Sequence, residues 1–252
     1  MAAPTISVPA GGYRYIPGVF QYSAGVAALD GFRIERVEFQ QPIPLAAGFA
    51  YIERYFAEHS LALAGFCACE LRSPAPFTEA GFIDFNRHYV GTLERWGVMR
   101  DDKNPVARSN VCPELLKPAE PGFHAFCFTR PVAGASGSFV IAGSGEAEEG
   151  HASYRERTVR FGDTTPAGLR EKGVYVLNRM EQRMAAVGAV WADTTAAQVY
   201  TVHDLHPFLA DEIVRRGAAQ HGLIWHFARP PVQGLDYEMD CRSVPVEHRI
   251  RA

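Results

Sequence analysis

Apolar and polar positions change period repeatedly along this chain, and the changes mark its elements. Residues 32–39 (FRIERVEF) alternate apolar with polar and predict a strand with one covered face. From Pro44 to about residue 63 the period lengthens. Phe49, Ile52 and Phe56 recur at three- and four-residue spacing, with Ser60 one turn on, which predicts a helix with Pro44 in its first turn. Residues 65–71 (GFCACEL) predict a second strand. Residues 78–96 predict a second helix, with Thr78 as N-cap and Phe82, Phe85, Tyr89 and Leu93 along one face. Residues 107–112 and 123–128 alternate again around a turn holding Pro113, Pro118 and Pro121, and predict a hairpin. Ahead of all this, residues 13–27 are aromatic and β-prone, and residues 1–12, with two prolines and two glycines, read as a loosely ordered arm. The order is β-β-α-β-α-β-β.

Residues 131–137 (PVAGASG) form the best linker, and after them the order starts again. Strands are predicted at 138–142 and 154–161 (YRERTVRF), a long helix at 166–187, a strand at 196–202, a helix at 206–221, and closing strands at 223–228 and 235–242. Three segments of the first half have counterparts in the same order in the second. CELRSPAPF parallels YTVHDLHPF, GFHAFCF parallels LDYEMDC, and FRIERVEF parallels YRERTVRF. The chain therefore reads as an internal duplication of the α+β class, with units at residues 13–130 and 138–245. Each unit is expected to be a mixed β-sheet with two helices on one face.

Composition narrows the class of partner. The 252 residues are 47% hydrophobic and 21% charged, as in an ordinary globular protein. A net charge of −3 provides no basic footprint for nucleic acid. No apolar run approaches the roughly 20 residues of a membrane helix, and the N-terminus has no basic segment followed by an apolar one. The five cysteines have no framework spacing, which suits a reducing cytoplasm. Cys67 and Cys69, two apart on a strand, are expected on one face as buried thiols, with no second pair to complete a metal site. One residue is out of keeping with its surroundings. Arg108 is a cation inside an apolar hairpin, and a guanidinium in a core needs an anionic partner or a wet cleft.

FIDFNRHY (82–89), PVARSNV (105–111), GFHAFCF (122–128) and the closing DYEMDC (236–241) resemble the RidA family of small enamine/imine deaminases, twice over. The whole chain, through GVFQYSAG, NPVARSNVCPE and WHFARPPV, most resembles the tandem deaminases of the CnbZ type, which act on 2-aminomuconate or 2-amino-5-chloromuconate. The resemblance implies two chorismatase/RidA-like units, a cytoplasmic homo-oligomer built on trimers, and clefts between units. It also implies water attack on a C=N carbon, with release of ammonia and with no metal or organic cofactor, because an iminium carbon is already electrophilic.

By the same resemblance Arg108 binds the substrate carboxylate, Asn86 and Ser23 lie near the ligand, and Asn110 replaces a frequent cysteine and hydrogen-bonds substrate. The family's water-activating glutamate falls at His124 in the first half and at Glu238 in the second. The position equivalent to Arg108 in the second half falls near Gly222. Neither half therefore carries both groups, and the expected productive cleft combines Arg108 with Glu238. The alternative for Glu238 is a solvent-facing strand position. His124, Arg72 and His226 are candidates for a second substrate carboxylate. A chorismatase-like hydrolase or lyase, and a non-catalytic ligand-binding protein, remain alternative functions.

Overall fold

A computed structural model of the chain describes residues 4–148 and 153–251. The chain forms two mixed sheets. Its strands are β1 (Ile6–Val8), β2 (Tyr13–Ile16), β3 (Gly25–Ala28), β4 (Phe32–Pro44), β5 (Phe66–Arg72), β6 (Ala107–Pro113), β7 (Gly122–Pro131), β8 (Phe139–Gly145), β9 (Ala196–Tyr200), β10 (Leu223–His226), β11 (Ala228–Arg229), β12 (Glu238–Ser243) and β13 (Val246–Ile250). The six-stranded sheet has the order β11-β6-β5-β7-β4-β13, and the seven-stranded sheet the order β1-β2-β3-β8-β12-β9-β10. Four consecutive strands of each, β6-β5-β7-β4 and β10-β9-β12-β8, repeat one arrangement. The first pair is parallel and the next two pairs are antiparallel.

Helices cover the outer faces. α1 (Leu45–Glu58) and α2 (Glu79–Arg95) bury Phe49, Ile52, Phe56, Tyr89 and Leu93 against Phe66, Phe123, Phe126 and Phe128 of the six-stranded sheet. Each such buried side chain contributes about 1.5–3 kcal/mol. On the other sheet α4 (Pro166–Ala186) sets Leu169, Val176, Leu177, Met180 and Met184 against Ile141, Val199, Met239 and Cys241. The inner faces meet through Tyr13, Val26, Ile34, Cys67, Ala107, Cys127 and Ala142. The layers thus run helix, sheet, sheet, helix. Both long-helix starts follow from capping, with Thr78 accepting from Gly81 N at 3.1 Å and Thr165 from Gly168 N at 3.2 Å.

The chain ends cross between sheets. β3 pairs with β8, so the N-terminal hairpin completes the seven-stranded sheet. β13 runs parallel to β4 in the other sheet. The stretch after β10 also crosses, with β11 pairing with β6 and Val232 bridging to Phe77. That crossing segment closes one end of the sandwich beside β6.

Several expectations are corrected. Residues 154–161 are not a strand. Ser153 and Glu156 form a capping box that starts the short helix α3 (Tyr154–Arg157), and Arg160 takes a left-handed backbone with φ 51°. Residues 206–221 are not one helix. α5 (His206–Phe208) passes into a π-helical stretch, Leu209–Val214, and Gly217 at φ 89° ends it in turns. α1 stops at Glu58, because Ser60 has φ 53° and Leu61 N bonds back to Phe56 O at 2.8 Å. The N-terminal arm is ordered from residue 4, with β1 zipped onto β2. Cys67 and Cys69 face opposite ways. A bulge between Phe66 and Ala68 breaks the alternation, so Cys67 joins the inter-sheet core and Cys69 the helix-side core. All five cysteines are buried and unpaired. No helix among the described residues is long and apolar enough to cross a membrane.

Candidate active site

Where the two inner faces meet, β6 is tied to β12 by a buried polar contact. Ser109 Oγ donates to Asp240 Oδ2, which also accepts from Tyr200 Oη at 2.9 Å, while Asp240 Oδ1 accepts from Gln198 Nε2 at 2.8 Å. The residues flanking Ser109 turn the other way, as strand alternation requires. Arg108 therefore reaches α2 and Asn110 reaches Ser73. Two residues before Asp240 on β12 stands Glu238. A cavity of about 490 Å3 opens at this junction, a size that suits a small metabolite. Tyr22, Phe82, Arg108 and Asn110 line it from the first half of the chain, and Gly143, Tyr154, Leu235 and Glu238 from the second.

Arg108 is 2% exposed. Nη2 donates to Asn86 Oδ1 at 2.6 Å, and Nε and Nη1 have no hydrogen-bond partner. No carboxylate of the described residues forms an ion pair with it. Its guanidinium lies among four rings, 4.7 Å from Tyr89, 5.3 Å from Tyr22, and 5.8 Å from both Phe82 and Phe85. Four rings at about 0.5–2 kcal/mol each offset part or all of the several kcal/mol that desolvating the ion costs, but they supply no counter-charge. Two of its three nitrogens therefore remain able to bond an anion, and no carboxylate of the described residues takes that place.

Glu238 is 4% exposed, so the solvent-facing alternative is excluded. Burial pushes its carboxyl well above the ordinary 4.5. The carboxylates of Asp240 and Glu146 push the same way, and the charges of Arg108 and Arg183 offset part of the shift. The carboxyl thus keeps its proton to higher pH than an ordinary glutamate, beside a cavity open to small molecules. Gly143 on β8 makes room for it, since a Cβ at that position would overlap Glu238 Oε1 and crowd Ser109 Cα.

A second buried group fixes the start of β12. Lys172, on α4 and fully buried, pairs with Asp236 Oδ2 and with Glu146 Oε1 at 3.5 Å. Glu146 accepts from the backbone N–H groups of Asp236 at 2.6 Å and Tyr237 at 3.1 Å. This clamp sets the residues immediately before Glu238. Burial raises the Glu146 carboxyl to about 7, against the pull of those hydrogen bonds and of Lys172.

The remaining candidates divide. Asn110 lines the cavity with its Nδ2 unpartnered, and Asn86 stands behind Arg108 as its hydrogen-bond acceptor. Ser23 does not line the cavity. It is fully buried, its hydroxyl donating to Pro105 O at 3.1 Å, and it holds the 19–22 loop against β6. His124, Arg72 and His226 also lie off the cavity, in a separate buried network. Arg72 is 3.6 Å from Glu70 Oε2 and 5.5 Å from the Tyr200 ring. His226 stacks on the same ring at 5.0 Å and meets Gln198 Oε1 at 3.0 Å. Glu70 in turn pairs with Arg36 Nε at 2.7 Å. The bulge between Glu70 and Leu71 on the β5–β7 ladder puts His124 beside Glu38 and Glu70 rather than at a place equivalent to that of Glu238. Sequence reasoning passed over three arginines that do line the cavity: Arg157, Arg179 and Arg183. The only sequence signal was the i, i+4 spacing of Arg179 and Arg183, which is also that of a solvated helix face.

A family model described as 2-aminomuconate deaminase CnbZ matches residues 5–248. The chain belongs to the CnbZ 2-aminomuconate deaminase family. A relative from Comamonas testosteroni, 2-amino-5-chloromuconate deaminase, is 52% identical over 235 residues, spanning 92% of this chain and 94% of that protein. This CnbZ-family chain is accordingly an enzyme, a deaminase acting at a C–N bond. The cavity with Arg108 and Glu238 lies wholly inside the matched span.

Proposed function

We propose that the chain is a hydrolytic deaminase of a 2-aminomuconate-type enamino dicarboxylate, working in the breakdown of aromatic compounds at the Arg108–Glu238 cavity. The observation that carries this reading is the pairing of opposites in one cavity. A buried guanidinium has no ion pair among the described residues, and a buried carboxyl beside it has its pKa raised by burial. The repeated order of four strands in each sheet supports a tandem of two RidA-like units, with the site between unlike halves.

The chemistry then runs on this chain's own residues. Arg108, oriented by Asn86, holds the carboxylate next to the amino-bearing carbon. Neutral Glu238 gives its proton to the enamine carbon, leaving an iminium. As a carboxylate it next takes a proton from water while the water oxygen bonds to the iminium carbon. The recovered proton goes to the amino nitrogen, the C–N bond breaks, and ammonia leaves. The hydroxyl proton returns to Glu238 as the C=O bond forms. Substrate and water become a 2-oxo acid and ammonia, and the glutamate ends as it began. The iminium carbon is electrophilic enough that no step needs a cofactor or metal. Tyr22, Phe82 and Leu235 hold the planar substrate and limit bulk water.

Arg108→Met tests the reading. It keeps the side-chain bulk among the rings and removes the charge. We expect kcat/KM for freshly generated 2-aminomuconate to fall by about 100-fold or more, while thermal stability holds or rises because an unpaired buried cation has gone. Near wild-type deamination by this variant would rule the site out. A homo-oligomer is also proposed. β10 is an edge strand with Ile224 and Trp225 exposed, and Phe227 is exposed beside it, next to the exposed Leu115 and Leu116. Light scattering on the purified chain tests it, and a monomer at micromolar concentration would count against it.

A further inference from the structure

Three cations line the cavity that the steps above do not use. Arg179 and Arg183 project from one face of α4, and Arg157 ends α3. Each is half-buried and held by a neighbour. Arg183 Nη1 donates to Ala142 O at 3.1 Å and Gly143 O at 3.4 Å, which fixes its guanidinium on the strand that makes room for Glu238. Arg179 Nε meets Tyr175 Oη at 3.3 Å, and Arg157 lies 4.4 Å over the Tyr154 ring. Against four lining guanidiniums, Arg108 included, the described lining has the carboxyls of Glu79, Glu148 and Glu238. One substrate carboxylate can meet Arg108, and a second can reach the α4 guanidiniums in the same cavity.

We propose that Arg183, with Arg179 beside it, binds the distal carboxylate of the substrate, so that α4 selects a dicarboxylate over a monocarboxylate of the same length. This rests on the functional reading above and adds to it a specificity-determining helix. The cavity is then polarised. Arg108 takes the carboxylate at the reacting end from the first half of the chain, and α4 takes the other from the second. Glu238 feels the charges of both Arg108 and Arg183, and its strand pairs with β8, whose carbonyls hold Arg183.

The test compares two unreactive six-carbon dienes, muconate with two carboxylates and sorbate with one, by titration calorimetry. Wild type is expected to bind muconate more tightly than sorbate by about 10- to 100-fold, the worth of one charged hydrogen-bonded contact. Arg183→Gln is expected to cut that preference to about threefold or less, chiefly through muconate, with Arg183→Lys restoring part of it. Equal weakening of both ligands in Arg183→Gln would make Arg183 a structural prop of β8 and overturn the proposal. So would a wild type that does not discriminate. A wild type that prefers muconate through Arg183 yet releases no ammonia from 2-aminomuconate would sink the functional reading and leave this subsite standing.

Discussion

Glu238→Gln separates the chemical role of this residue from its structural cost. The wild-type carboxyl is buried, and its pKa stands well above 4.5. In the unfolded chain it ionises near 4.5, while in the folded chain it keeps its proton to higher pH. Between those two values the folded state binds a proton that the unfolded state has lost, so the stability contribution falls as pH rises. The slope is about 1.4 kcal/mol per pH unit. Glutamine has the same shape and no proton to lose. The variant is therefore expected to match wild type below about pH 4 and to exceed it increasingly towards neutrality, by an amount set by the interval crossed. Asp240 and Glu146 are raised in the same sense but are present in both proteins, so they largely cancel from the difference. Activity is expected to move the other way. Without a group to pass protons, kcat/KM falls by about 100- to 10,000-fold. Urea unfolding at pH 4, 5.5 and 7, with ammonia release measured on the same preparations, checks both arms. A stability difference that does not change with pH would refute the protonated carboxyl. Activity within tenfold of wild type would refute its role.

Other expectations follow from the same network. Lys172→Met removes the cation shared by buried Glu146 and half-buried Asp236, and Glu146 takes up a proton, so the midpoint of urea unfolding should drop by the equivalent of about 1–3 kcal/mol at pH 7. An unchanged midpoint would show that the clamp contributes little. His124 and His226 are held neutral. Burial, reinforced by the charge of Arg72, lowers them to about 2 and about 4. The unfolded chain takes up protons near 6.5 that the folded chain refuses, so these two cost stability progressively as pH falls below 6.5. Neither should titrate between pH 5 and 8, and nuclear magnetic resonance of their ring protons tests this directly. A His226 titration near 6.5 would contradict the burial account.

The parts of the fold that local pattern controls were legible in the chain. α2 and α4 begin at the threonines that cap them, and β4 and β7 follow their alternation. Arg108 stood out as a charge on an otherwise apolar strand, whereas Glu238, with Asp236 and Asp240 on the same stretch, came only through the family resemblance. What was missed depends on distant pairing or on a competing local bond. YRERTVRF alternates like a strand, but Ser153 and Glu156 satisfy the first turn of a helix before any strand partner is met. The exchange of β3 and β13 between sheets leaves no local mark, because an edge strand reads the same whichever sheet receives it. His124, Arg72 and His226 were candidates for a second substrate carboxylate, but they meet Glu70, Tyr200 and Gln198 instead, partners brought together from strands distant in sequence. Arg179 and Arg183 looked like an ordinary solvated helix face, and only the cavity gives that face a direction.

The account's central claim is that one cavity, built from both halves of the chain, deaminates an enamino dicarboxylate. The most direct measurement mixes the purified wild-type chain with freshly generated 2-aminomuconate, and separately with chorismate, and follows ammonia and pyruvate against the uncatalysed reactions. The account predicts one ammonia per 2-aminomuconate consumed, no pyruvate from either compound, and loss of the acceleration in both Arg108→Met and Glu238→Gln. Ammonia release no faster than without enzyme, or pyruvate from chorismate, would contradict it.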